Sequence, residues 1–239
     1  MDTPQRSRKH AVLFGILGFG ALAAMVISTH WLLKFITLNT ALAFGGVASG
    51  YGALGPSVFG KRGARLRWWS WLLFWPYFAL NYLSLWLFRR TSRENAADEI
   101  APGLWLGCRL WPRDEKQLPQ IFAVLDLTAE FAEVTFLQKA PHYLCVPVLD
   151  TTAPTIEELR HGIEFLQTHL SQGAVYVHCA LGHGRSATFV AAYLLKSSQA
   201  QTLEEALTRL KTVRPGVDLH SPQQSLLEEY FQSLHNMTK

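Results

Sequence analysis

A thiol, two glycines, a guanidinium and a hydroxyl fall together in the stretch VHCALGHGRSA, as Cys179, Gly182, Gly184, Arg185 and Ser186. An apolar run, AVYVH, precedes the cysteine and an apolar run of helical character follows the arginine. A loop that joins a strand to a helix N-terminus aims unpaired backbone N–H groups at one point, which makes it an anion site. The two glycines let the backbone curl closely around the anion, and the planar fork of Arg185 matches two phosphate oxygens. The backbone of Ala180, Leu181, Gly182, His183 and Gly184, together with Arg185, is the expected substrate cradle. Cys179 lies at its base. There the N–H groups, the helix dipole and Arg185 all favour a thiolate, bringing its pKa from about 8.5 into the range of roughly 3.5–7.5. A thiolate beneath a bound phosphate is placed for in-line attack on phosphorus, with a cysteinyl-phosphate as product.

That reaction needs a proton for the leaving oxygen. Asp150, at the end of the apolar stretch HYLCVPVLD and followed by TTAPT, is the expected general acid, and then the base when water attacks the phosphocysteine. Ser186 is placed to stabilise the thiolate leaving in the second step. His178 is expected to order the loop by hydrogen bonds. His183 has two readings, contact with substrate or exposure in a turn. Asp126 reads as structural, and Cys108 and Cys145 as core thiols. Three cysteines without a CxxC pair imply neither a disulfide framework nor a zinc site, and no cofactor is expected.

The elements that must hold these residues follow from periodicity. IAPGLWLG reads as two short strands about a Pro102–Gly103 turn, and residues 122–128 and 142–150 as strands. Thr155 with Glu158 forms a capping box before a helix whose apolar positions are Ile156, Leu159, Ile163, Leu166 and Leu170. AVYVHCA is a further strand, and the helices after the loop include TLEEALTRLKTV and SPQQSLLEEYFQSL. Alternating strands and helices predict an α/β domain with a mainly parallel central sheet flanked by helices, over residues 98–239 after a polar linker at 91–97.

Residues 1–90 differ in kind. The chain has 239 residues, 8 Trp and 14 Phe, and most of the apolar excess lies before residue 90. Residues 11–29 are uncharged and close to the ~20 needed to cross a bilayer. They are long for a signal peptide, and more membrane-like sequence follows. Residues 35–59 are rich in small residues that let helices pack in lipid. Residues 68–88 are crowded with Trp and Tyr and either span or lie in the interface. Two or three membrane helices are therefore expected. The net charge of +4 clusters around these segments, at Arg6, Arg8 and Lys9, at Lys61, Arg62, Arg65 and Arg67, and at Arg89, Arg90 and Arg93. Membrane flanks explain it better than nucleic-acid binding. With the basic N-terminus and the loop at 61–67 inside, a spanning third segment puts the α/β domain outside and an interfacial one keeps it inside; the last cluster and the reduced thiol favour the cytoplasmic side of an integral membrane protein.

HCALGHGRS fits the signature of the cysteine-dependent phosphatases, His-Cys, five residues, Arg-Ser. IAPGLWLG, AVLDLTAE and the strand ending at Asp150 resemble their dual-specificity branch in order and spacing. The resemblance implies a protein-tyrosine-phosphatase-like fold, Cys179 as nucleophile, Arg185 as phosphate binder, Asp150 as general acid and no metal. Within the branch, LDTTAPTIEELRHGIEFL, VYVHC, RSATFVAAYLL and VRPGVDLHSPQQ are similar to the mitochondrial phosphatidylglycerophosphate-directed group, where Gln223 would help to position water. Lipid-directed relatives often carry Lys or Arg inside the loop, whereas here His183 alone could add charge. The implied substrate is a phosphorylated protein or a phosphorylated lipid headgroup. Trp105 and Trp111 are candidates for an apolar rim. Two other readings are a catalytically silent phosphate-binding anchor and a rhodanese-like sulfurtransferase. The presence of Cys179, Arg185 and Asp150 together opposes the first, and Arg185-Ser186 with Asp150 opposes the second.

Overall fold

The computed structural model describes residues 6–237. Residues 1–5 and 238–239, at the ends of the two expected regions, lie outside the described residues. The chain divides into two compact units, residues 6–90 with 129–132, and residues 91–128 with 133–237.

In the first unit, α1 (Arg8–Ile27) and α2 (Trp31–Ser49) pack as a pair. A Cβ on Gly18 would stand 3.2 Å from the Ala41 carbonyl oxygen, so the glycine permits the close approach. After α2, a π turn (Gly50–Leu54) and a 3₁₀ turn (Gly55–Phe59) lead to a small hairpin of β1 (Lys61–Arg62) and β2 (Arg65–Leu66). Helix α3 (Trp68–Thr91) contains Pro76 and ends through Arg89 and Arg90. Val12, Ile16 and Phe19 of α1 and Trp31, Leu33 and Phe35 of α2 are exposed. Three helices, Arg8–Ile27, Trp31–Phe59 and Trp68–Thr91, are long and apolar enough to cross a membrane.

The second unit contains β3 (Ala97–Ala101), β4 (Leu104–Gly107), β5 (Ile121–Thr128), β6 (His142–Val148), α4 (Ile156–Leu170), β7 (Ala174–His178), α5 (Arg185–Lys196), α6 (Leu203–Val213) and α7 (Ser221–Met237). Its sheet runs β3-β4-β7-β5-β6. Only the β3–β4 pair is antiparallel, and Gly103, at φ 77°, supplies the positive backbone angle its turn requires. The sheet is therefore mainly parallel, with helices beside it. Thr155 caps α4, accepting from the Glu158 N–H at 3.2 Å while Glu158 Oε2 accepts from the Thr155 N–H at 2.8 Å.

The period-two alternation of side chains decides what each sheet face holds. Leu125, Leu127, Val175 and Val177 share one core with Leu159, Ile163, Leu166 and Phe189 of the helices. Val124 and Tyr176 join Cys108, Leu110, Val134 and Leu137 in a second core. His178 shares the face of Tyr176, their rings stacked at 5.3 Å. Register pairing sets Asp126 beside it. The strand expected to run to Asp150 stops at Val148, and Asp150 belongs to a turn in which Thr151 has φ 64°.

The expected linker needs correction. Thr91 is still helical, Ala97 already belongs to β3, and Glu94 between them is tied into the domain rather than solvated. The reason is electrostatic. Arg214 is wholly buried nearby, and a buried guanidinium needs counter-charges.

Candidate active site

In the second unit, β7 is the middle strand, flanked by β4 and β5, with Gly107 and Asp126 both in register with His178. The chain leaves the C-terminal end of this strand, where parallel sheets collect their ligands, and enters α5 at Arg185. Gly184 is the N-cap of α5 and supplies no side-chain cap, which leaves its first-turn N–H groups to an anion.

Cys179 is 3% exposed. Its Sγ lies 3.2 Å from Ser186 Oγ and accepts from the Gly182 N–H at 3.3 Å. Burial pushes the thiol pKa up. The charge of Arg185, the hydroxyl and backbone N–H of Ser186 and the N–H of Gly182 outweigh burial and hold it below the ordinary thiol value. Gly182 has φ 81°, and a Cβ there would meet the Gly107 backbone at 2.6 Å, so both conformation and space demand glycine.

The Arg185 guanidinium is buried, and its Nη1 donates to the Val148 carbonyl at 2.9 Å. Its Nη2 is 3.1 Å from Oδ1 of Asp150, whose side chain is 61% exposed. The carboxylate thus stands at the mouth of the loop, on the guanidinium a phosphate would use.

His178 Nδ1 lies 3.3 Å from the Cys179 carbonyl oxygen, and Nε2 lies 2.6 Å from Glu133 Oε2 and 3.7 Å from Asp126 Oδ1. Asp126 Oδ1 accepts from the backbone and hydroxyl of Thr128, and Oδ2 accepts from the Tyr143 hydroxyl at 2.6 Å. Burial, then the charges of Asp126 and Glu133, push the Tyr143 phenol well above its usual range, so it stays a donor. Asp126, Glu133 and His178 are the described residues whose donor atoms lie close enough to share a metal ion. Asp126 and Glu133, however, are engaged by hydrogen bonds within the protein.

The other expected residues take varied places. Gln223 is fully buried. Its Oε1 accepts from the His220 N–H at 3.0 Å and its Nε2 donates to the Thr152 carbonyl at 2.9 Å, tying the start of α7 to the turn beyond Asp150. Gly184 lies against this amide, where a Cβ would stand 2.9 Å from Oε1. His183 is turned to Glu94, Nε2 to Oε2 2.6 Å, with its side chain 18% exposed; neither reading made from the sequence foresaw that partner. Trp105 packs against the second core, and Trp111 lies under the Arg109 guanidinium at 5.1 Å. Cys108, Cys145 and Cys179 are free thiols.

Sequence reasoning missed Arg214, Glu94, Glu133 and Tyr143. The one available signal was the Arg-Pro-Gly turn at 214–216, which marks a fixed backbone but not the partners of its arginine.

A buried thiol held below its ordinary pKa in a loop of N–H donors, backed by a buried arginine and faced by a carboxylate, marks a cysteine-dependent phosphatase. The family model of the dual specificity phosphatase catalytic domain matches residues 108–233, and the chain belongs to that family. The chain is 26% identical over 167 residues to the Arabidopsis thaliana phosphatidylglycerophosphate phosphatase PTPMT2, covering 66% of this chain and 72% of the relative. It covers only 42% of the Arabidopsis relative PTPMT1. It is 30% identical over 138 residues to the Danio rerio dual specificity protein phosphatase 22-B, covering 57% and 74%. The crystal structure of PTPMT1 in complex with PI(5)P superposes with a TM-score of 0.55 at 24% identity, covering 61% of this chain and all of that one, a likeness of fold.

Proposed function

We propose that this chain is a membrane-anchored phosphomonoesterase that transfers phosphate to Cys179 from a phospholipid headgroup. The observation that carries the reading is the thiol itself, buried yet hydrogen-bonded by Gly182 N–H and Ser186 at the N-terminus of α5, with Arg185 beside it. In the first step the thiolate attacks phosphorus, the P–O bond to the headgroup breaks, and Asp150 gives its proton to the leaving oxygen. The N–H groups of residues 180–184 and Arg185 stabilise the equatorial oxygens as charge develops. In the second step Asp150 takes a proton from water, the water oxygen bonds phosphorus, and Ser186 donates to the departing sulfur. Gln223 holds the turn beyond Asp150 and the flank of Gly184, which supports a positioning role in that step.

The three apolar helices and the phosphatidylglycerophosphate phosphatase relatives support a lipid substrate. Phosphoprotein is the second reading. It is favoured by the dual specificity protein phosphatase relative and by a loop without Lys or Arg between Cys179 and Arg185. The cytoplasmic side is favoured for the catalytic domain by Arg89, Arg90 and Arg93 and by a functional free thiol; it requires α3 to lie in the interface, since an inside N-terminus followed by three full spans would put the domain outside.

The test is phosphate release by the detergent-solubilised full chain in EDTA. Para-nitrophenyl phosphate, a phosphotyrosine peptide and phosphatidylglycerophosphate are compared for wild type and Cys179→Ser. Metal-independent release that vanishes in the variant, fastest on the lipid, is expected. Preference for the peptide would move the substrate to protein, and equal release by the variant would remove Cys179 from the mechanism.

A further inference from the structure

The anion-binding loop has an outer side as well as an inner one. Arg214, wholly buried, wraps it from outside. Its Nη2 donates to the Leu181 carbonyl at 2.8 Å and its Nε to the Gly182 carbonyl at 3.2 Å. In a trans peptide the C=O and N–H point in opposite directions. Holding the Leu181 and Gly182 carbonyls outward therefore turns the N–H groups of Gly182 and His183 inward. The first of these reaches the Cys179 sulfur at 3.3 Å.

Arg214 is in turn held by the segment that follows α3. Its Nη1 donates to Asp98 Oδ2 at 2.7 Å and to the Asn95 carbonyl at 3.1 Å, and Glu94 Oε2 lies 3.7 Å from Nη2. Glu94 makes two further bonds. Its Oε2 is 2.6 Å from His183 Nε2, inside the loop, and its Oε1 accepts from the Gly216 N–H at 2.7 Å. There is no slack, because a Cβ on Gly216 would overlap both Glu94 and His183. Burial raises the Glu94 pKa, but His183, Arg214 and the Gly216 N–H together hold it below the ordinary carboxylate value.

We propose that Glu94 and Asp98, acting through Arg214 and His183, are positioning residues that keep the loop's N–H groups aimed at the phosphate. Both carboxylates are engaged within the protein, Glu94 with His183 and Gly216 and Asp98 with Arg214 and Asn95. The proposal rests on residues 179–185 being a phosphate-binding loop. It goes beyond that reading by making anion affinity depend on the segment between α3 and β3.

Charge alone and positioning predict opposite signs. If the carboxylates acted only as negative charges near the loop, neutralising them would tighten phosphate and lower the pH at which Cys179 ionises. If they position the loop, neutralising them weakens phosphate and raises that pH. The measurements are competitive inhibition by inorganic phosphate and the pH midpoint of Cys179 alkylation by iodoacetamide. Both use the full chain in detergent, as wild type, Glu94→Gln, Asp98→Asn and the double variant. Phosphate inhibition about five-fold weaker or more in the double variant, with an upward-shifted alkylation midpoint, is expected. Unchanged or tighter phosphate with an unchanged or lower midpoint would overturn the proposal, including the case where only thermal stability falls. If Asp98→Asn does not fold, Glu94→Gln decides alone, since the amide keeps an acceptor for the Gly216 N–H. Absence of phosphate inhibition in the wild type would overturn the phosphate-loop reading itself, whereas inhibition equal in wild type and variants would overturn only the positioning role.

Discussion

The two units of the chain use apolar residues in opposite ways. In α1 they lie on nearly every side and many stay exposed, as at Val12, Ile16 and Phe19; in α4 they form one stripe whose centre, Leu159, Ile163 and Leu166, is buried. In the first unit the work is done by the sum of many equivalent side chains. In the second it is done by a few atoms at fixed places, and the buried stripe exists to fix them. Sensitivity to single substitutions should therefore differ sharply between the units.

The largest effects should come at the loop. Asp150→Asn removes the proposed proton donor and should lower kcat on an alkyl phosphate by about 10²–10⁴. Arg185→Ala removes the buried guanidinium proposed to donate to the developing charge and should cost about 10²–10³. Steady-state phosphate release measures both, and a loss under tenfold in either would mean that the loop shares its load as broadly as α1 does. Next comes the core. Leu166→Ala should destabilise the second unit by about 2–5 kcal/mol, whereas Ile16→Ala, on an exposed position, should leave its unfolding midpoint unchanged; thermal unfolding in detergent reads the contrast. Thr155→Ala, which deletes the α4 cap, should cost about 1 kcal/mol.

The smallest effect is one of pH. The Glu94 pKa is depressed in the folded state, so its stabilisation is complete above the unfolded value and fades as pH falls through the folded one. The unfolding midpoints of wild type and Glu94→Gln should thus differ at neutral pH and converge below the ordinary carboxylate range. A gap that persisted there would detach it from the Glu94 charge.

What could be read in the sequence was whatever neighbours in sequence decide. The Thr155–Glu158 cap, the alternation in VYVH and the Cys179-to-Arg185 loop each depend on residues a few places apart, and each lies in the structure where its pattern pointed. Asp150 was legible as a carboxylate near a strand end, but not as a turn residue paired with Arg185. Arg214 with Asp98, His183 with Glu94 and His178 with Glu133 join residues far apart in the chain. Nothing local marks such pairs, since a lone Glu in the polar run RRTSRENAAD looks the same solvated or buried. Reading that run as a passive linker followed from composition and failed because the partners of Glu94, His183 and Gly216, lie 89 and 122 residues away.

The contact between Asp150 and Arg185 has a kinetic consequence. A carboxylate tethered 3.1 Å from the guanidinium is an internal ligand at high effective concentration. Any external anion must displace it. A monoanion with few donors to satisfy competes poorly, while a phosphate dianion that also engages the N–H groups competes well. If Arg185 binds phosphate as proposed, the tether should handicap chloride and carboxylates relative to a phosphate dianion, modestly for so exposed a side chain. By the same competition, the returning side chain should speed the departure of inorganic phosphate from the proposed site.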